Sequence, residues 1–128
     1  MEKTFKPDGY NSVSPYFIVK GAQGFMDWLK KVFDAREKRR YDGEGGKIMH
    51  AEVQVDDSII MMADASDKWP PVPTVMHVYV PNVEEVFKRA VDAGCEVVHE
   101  PKTQEGDPDK RATFKDFWGN LWSVGTQL

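Results

Sequence analysis

His50 and Glu52 stand two residues apart in residues 47–55 (KIMHAEVQV). Strand alternation puts both on one face together with Gln54. A carboxylate there can orient an imidazole and raise its pKa, which makes an acid/base pair. The same pattern also describes a solvated strand face at a rim or a dimer seam. His77 lies inside the apolar run of residues 75–80 (VMHVYV). As a group that titrates near neutral pH it can serve as general acid/base or as a hydrogen-bond donor to a ligand. It can equally be a half-buried histidine satisfied by a tyrosine or the backbone. His77, His50 and Glu52 are therefore the candidate catalytic residues.

Tyr16, Trp69 and Tyr79 can form aromatic walls for a flat ligand, or pack in a core or an interface. Met61 is adaptable enough to line a binding surface, and Ser123 falls on the same strand faces. These five are the candidate ligand-binding residues. His99, beside Glu100-Pro101, reads as a surface residue. Cys95, between a helix-ending Gly94 and an apolar strand, reads as an inert buried thiol. The glycines of residues 43–46 precede no helix, so they make no phosphate loop. No Ser/His/Asp arrangement can be assembled.

The elements that must position these residues follow from periodicity. Residues 13–19 (VSPYFIV) predict a strand, and Phe25, Trp28, Leu29, Val32 and Phe33 predict an amphipathic helix. Residues 36–41 suit an exposed strand, 42–46 a hairpin loop, and 47–55 and 58–63 two further strands. Residues 65–73 are a proline-rich linker. After it come a strand (75–80), a helix capped by Asn82 and stopped by Gly94, and a strand (96–99). A long polar loop (101–111), a short strand (112–115), a turn and a last strand (121–126) complete the chain.

Each half thus reads β-α-β-β-β, with module 1 at about residues 12–64 and module 2 at about 74–127. An internal repeat of this length suggests a duplicated module. The fold class is α+β, two tandem βαβββ modules in one domain spanning 1–128. Each sheet covers one face with its helix, and the strands form a curved, cup-like mixed sheet with the helices on the outer face. A concave sheet face is a usual place for a small ligand.

The chain has 128 residues, enough for one core. Lys+Arg 17 against Asp+Glu 21 gives a net charge of −4, with basic and acidic residues interspersed. This argues against nucleic-acid partners and anionic membranes. No run reaches transmembrane length, and the N-terminus lacks an apolar signal core. One cysteine excludes an internal disulfide framework. A cytoplasmic protein is expected.

The strings HVYVPNVEEVFKRAVDAG, KDFWGNLWSV and HAEVQVDDSIIMMAD, in this order of elements, resemble the vicinal oxygen chelate superfamily. That superfamily includes glyoxalase I, extradiol dioxygenases, fosfomycin-resistance proteins and bleomycin-binding proteins. The third string is similar to the PhnB-like subgroup of glyoxalase-like proteins. The resemblance runs from Val13 to Gln127 and is specific to the fold rather than to one reaction. It implies a homodimer. It also implies metal ligands at four strand positions, which by register are Ser14, Met61, Val75 and Ser123 here. None of these matches the family's histidine, glutamine or glutamate ligands. The expectation is a metal-independent protein without a cofactor that binds a small aromatic or antibiotic-like molecule. The alternatives are a glyoxalase-like lyase or isomerase using His77 or His50/Glu52, and a non-catalytic interaction scaffold.

Overall fold

A computed structural model describes residues 5–128. Its strands and helices are β1 (Tyr16–Val19), α1 (Ala22–Phe33), β2 (Arg36–Asp42), β3 (Ile48–Val55), β4 (Ser58–Asp64), β5 (Val75–Tyr79), α2 (Val83–Asp92), β6 (Glu96–Lys102), β7 (Asp109–Lys115) and β8 (Leu121–Gln127). They make two four-stranded mixed sheets, β1-β4-β3-β2 and β5-β8-β7-β6. In each, the first strand runs parallel to its neighbour and the remaining pairs are antiparallel. The chain divides into two compact units, the first ending at Val72 and the second beginning at Pro73.

The duplication holds at the level of single residues. In the first sheet Tyr16 pairs with Met61, which pairs with Glu52. In the second, His77 pairs with Ser123, which pairs with Thr113. Tyr16 therefore corresponds to His77, Met61 to Ser123, Glu52 to Thr113, and His50 to Arg111. The helix-side residues correspond in the same way: Phe17, Met62 and Ala51 match Val78, Val124 and Ala112.

In the first unit α1 buries Phe25, Trp28, Leu29, Val32 and Phe33 against Phe17, Val19, Ala51, Val53 and Met62. Removing that apolar surface from water is the main term holding helix to sheet, at roughly 25 cal/mol per Å². Gly21, at φ 80°, offers no side-chain cap. Asp64 at the end of β4 replaces it: Oδ1 accepts the Ala22 N–H at 2.8 Å and Oδ2 the Ile48 N–H at 2.7 Å. One carboxylate so ties helix, β3 and β4 together, and its charge suits a helix N-terminus.

In the second unit Asn82 caps α2 by accepting the Glu85 N–H at 3.1 Å, and Val83, Val86 and Ala90 face Phe114, Trp122 and Val124 in the core. The turn after β7 is organised by Asp116, which is buried. It accepts from the Trp118 and Asn120 amides, the Asn120 side chain and the Trp122 indole, at 2.8 to 2.9 Å.

Three boundaries differ from the sequence expectation. β1 starts at Tyr16 rather than at residue 13, which leaves Ser14 ahead of the strand. β6 continues through Pro101 to Lys102, and β7 begins at Asp109, so the polar loop is only residues 103–108. Both extensions consist of polar residues that carry no hydrophobic period. Pro101 is tolerated because β6 is an edge strand. Met76 and Val78, on the helix side of β5, are only half-buried.

Candidate functional site

On the face of the first sheet opposite α1, the registers set Tyr16, Met61, Glu52 and Arg39 side by side, with Tyr41 paired to His50 one step away. Glu52 is 3% exposed. An ionised carboxylate buried to that degree needs partners, and it has two. The Tyr10 hydroxyl donates to Oε1, and His50 Nε2 lies 2.7 Å from Oε2. The other ring nitrogen, His50 Nδ1, is 2.9 Å from the Tyr16 hydroxyl. With Nε2–H donating to the carboxylate, Nδ1 of a neutral ring accepts from the Tyr16 phenol. The result is a continuous chain, Tyr16–His50–Glu52–Tyr10, whose carboxylate end is buried and whose Tyr16 end is 46% exposed.

The electrostatics follow from that arrangement. Burial pushes the Glu52 carboxyl up, but the hydrogen bonds from Tyr10 and His50 outweigh it and hold the group below the ordinary carboxylate value. The Tyr10 phenol is pushed up, first by its hydrogen bond to Glu52. The Tyr16 phenol is also raised, by its own burial and by the Glu52 charge. Both tyrosines are thereby kept as neutral donors.

The second sheet carries a different network on its corresponding face. Arg111 Nη1 donates to His77 Nε2 at 3.1 Å, so His77 bears its proton on Nδ1. Arg111 Nε reaches Asp107 at 2.8 Å and Nη2 reaches Asp109 at 3.1 Å. Asp109, 3% exposed, also accepts from the Tyr79 hydroxyl at 2.8 Å. That bond is the main reason the Tyr79 phenol is raised. Asp107 is lowered by the Asp109 amide and by Arg111. The His77 ring meets Tyr79 edge-on, with centroids 4.7 Å apart. Gly125 leaves the space in which this happens: a Cβ there would lie 3.4 Å from His77 Nε2.

The structure thus brings together Tyr16, His50, Glu52 and Met61 in the first unit, and His77, Tyr79 and Ser123 in the second. His77 is exposed rather than half-buried, and its partner is Arg111 rather than a tyrosine or the backbone. Glu52 is no solvated strand residue. Trp69 stands at 61% exposure on the connecting segment, where its backbone pairs with Ser66. Cys95 is buried.

Tyr10, Asp109 and Arg111 were missed by sequence reasoning. Arg111 continues the alternation of Thr113 and Lys115 backwards, which is a signal that was present. Tyr10 reaches Glu52 from the polar lead-in and had no local signal at all.

The four positions at which the family carries metal ligands supply a poor donor set. Ser14 and Ser123 offer alcohols, Met61 a thioether and Val75 an alkyl chain, whereas a divalent cation takes imidazole, carboxylate or thiolate. The Ser14 hydroxyl is buried without a hydrogen-bond partner. Among the described residues no three histidine, cysteine, aspartate or glutamate side chains are grouped for a metal. These residues do not fit the family's metal centre.

Fold and open-faced sheets together define a class of two-module βαβββ proteins. The chain belongs to the Glyoxalase/Bleomycin resistance protein/Dioxygenase superfamily, whose model matches residues 11–124. It is 30% identical over 125 residues to an uncharacterized protein of Mycobacterium bovis, covering 89% of this chain and 82% of the relative. Among solved structures it is similar to TioX from Micromonospora sp. ML1, at 24% identity and TM-score 0.72, over 91% of this chain and 96% of that one. It is also similar to TnmS3, an antibiotic binding protein from Streptomyces sp. CB03234, at 18% identity and TM-score 0.69, over 92% and 98% of the two chains. At these identities the structural matches establish the fold. No helix among the described residues is long and apolar enough to cross a membrane.

Proposed function

We propose that this protein binds a small, flat, aromatic or antibiotic-like molecule against the open faces of its sheets, without a metal. The supporting observation is that the tyrosines on those faces are exposed yet fixed. Tyr16 is held by His50 and Tyr79 by Asp109, at 46% and 62% exposure. A pre-oriented aromatic surface loses little entropy when a planar ligand stacks on it. We include Met61 and Trp69 with Tyr16 in the first unit, and Ser123 with Tyr79 in the second, among the ligand-binding residues. The antibiotic binding named for TnmS3 agrees with this reading. We further propose a homodimer, as the family resemblance implies, in the cytoplasm.

A thermal-shift screen of planar antibiotics, bleomycin included, tests the reading. A hit should weaken about tenfold, or ~1.4 kcal/mol, in Tyr16→Ala or Tyr79→Ala, with the ligand recovered unchanged. Elemental analysis should find no stoichiometric divalent metal. About one metal per chain would overturn the metal-free part, and no hit across the panel would favour a scaffold role. Light scattering that finds a monomer would remove the dimer.

A second reading has its own observation, the Tyr16–His50–Glu52 chain. A buried carboxylate, an imidazole and an exposed phenol in series can pass a proton to or from a bound substrate. Consumption of a hit by the wild type but not by His50→Ala would favour this lyase or isomerase reading over sequestration.

A further inference from the structure

The open face of the second sheet has a cavity of about 120 Å³ whose lining includes Arg111, Asp107 and Ser123, together with His99, Lys102 and Gln104, which have no role in the networks above. Its floor is two rungs of the sheet that share a face, two residues apart on β7. In one, His99 pairs with Thr113 and Thr113 with Ser123; in the other, Lys102 pairs with Arg111. Gln104, from the loop after β6, and Asp107 complete the wall.

The polar groups of this wall are unevenly spent. The side chains of His99, Lys102, Gln104, Thr113 and Ser123 have no hydrogen-bond or ion-pair partner among the described residues. Arg111 uses one N–H each toward Asp107, Asp109 and His77, which leaves two of the five donors of a guanidinium. Asp107 is already engaged at both oxygens, Oδ1 accepting the Asp109 amide and Oδ2 accepting Arg111 Nε, so its charge is directed at Arg111. Of the charged side chains on the wall, Lys102 alone has no counter-ion among the described residues. The volume is well below the ~300 Å³ at which pockets hold drug-sized ligands.

We infer that this cavity is a binding site for a small oxyanion, a phosphate or carboxylate group. Lys102 supplies the charge, and Thr113, Ser123 and Gln104 supply the hydrogen bonds. Arg111, held by Asp107 and Asp109, lines the cavity with two N–H groups to spare for the anion. The recognition is charge-assisted, which makes it selective for anions over neutral acceptors. This site goes beyond the aromatic-ligand reading, because the anion and its lysine are argued from the cavity lining alone.

The probes are inorganic phosphate and acetate, titrated into the full chain at constant ionic strength against chloride and followed by amide NMR shifts. Saturable shifts are expected at Lys102, Gln104, Thr113 and Ser123, and the anion that saturates lower assigns the head group. Lys102→Gln should weaken binding at least tenfold and Ser123→Ala a few-fold. Lys88→Gln, an exposed lysine on α2 paired with Asp92, should change nothing. Thr113→Val provides a second variant should Lys102→Gln misfold. Linear, non-saturating shifts with both anions, or equal affinity in Lys102→Gln and Lys88→Gln, would overturn the site.

Discussion

Glu52 Oε2 sits 2.7 Å from His50 Nε2, and the carboxylate that makes this contact is 3% exposed while the imidazole is half-buried. The pair spans the surface of the first sheet from inside to outside. Any perturbation of the buried end is therefore felt through the half-buried His50 by the exposed Tyr16.

Replacing Glu52 with Gln keeps the shape and removes the charge. Hydrogen bonds to a charged group are worth about 1.5–3 kcal/mol each, and the Gln amide adds a donor facing Tyr10 or His50. Chemical denaturation near neutral pH should show a loss of about 2–4 kcal/mol with the slope unchanged. A loss below about 0.5 kcal/mol would show that the carboxylate is not held by these bonds.

The same group sets a pH dependence. The Glu52 carboxyl is depressed in the folded state, so the unfolded chain binds the proton more readily. Its contribution is complete above the ordinary carboxylate range and is lost as pH falls through the depressed folded value. Wild type should lose stability across the acid range more steeply than Glu52→Gln. Parallel curves of stability against pH would remove Glu52 as the source.

Asp116→Ala should be the more damaging change in the second unit. It strands the Asn120 amide and the Trp122 indole, both buried, along with two backbone N–H groups of the turn. An unsatisfied buried donor costs roughly 1–3 kcal/mol, so a loss above 3 kcal/mol is expected in thermal or chemical unfolding. Asp116→Asn retains an acceptor oxygen and should recover part of it.

Asn82→Ala tests the local start of α2. Loss of the cap to the Glu85 amide costs about 1 kcal/mol. Asn82→Asp should restore it, because a negative charge suits a helix N-terminus. Equal stability of all three forms would mean that packing of Val83 and Val86 alone fixes where the helix begins.

Much of the fold was legible because its signals are local. The apolar period of α1 and α2, the Asn82 cap, and the alternation in residues 47–55 each follow from neighbours in the chain, and the two halves could be superposed before any pairing was known. The faces of Tyr16, His50, Glu52, His77 and Tyr79 followed from the same alternation. What stayed hidden was polar. β6 extends through Lys102 and β7 starts at Asp109, before Arg111, because strand partners satisfy their backbones, and no hydrophobic period marks such a stretch.

The sequence by itself determined two βαβββ modules and their helix-side cores, since residue types and periods carry both. Only the tertiary structure decided which polar groups meet. Tyr10 closes on Glu52 from a distant segment, and Arg111 draws His77, Asp107 and Asp109 into one network. Sequence-distant side chains have no spacing rule between them. Their meeting is set by strand register and by the need of a buried charge for partners, and that need is what turned His77 from a candidate on an apolar strand into the neighbour of a fixed guanidinium.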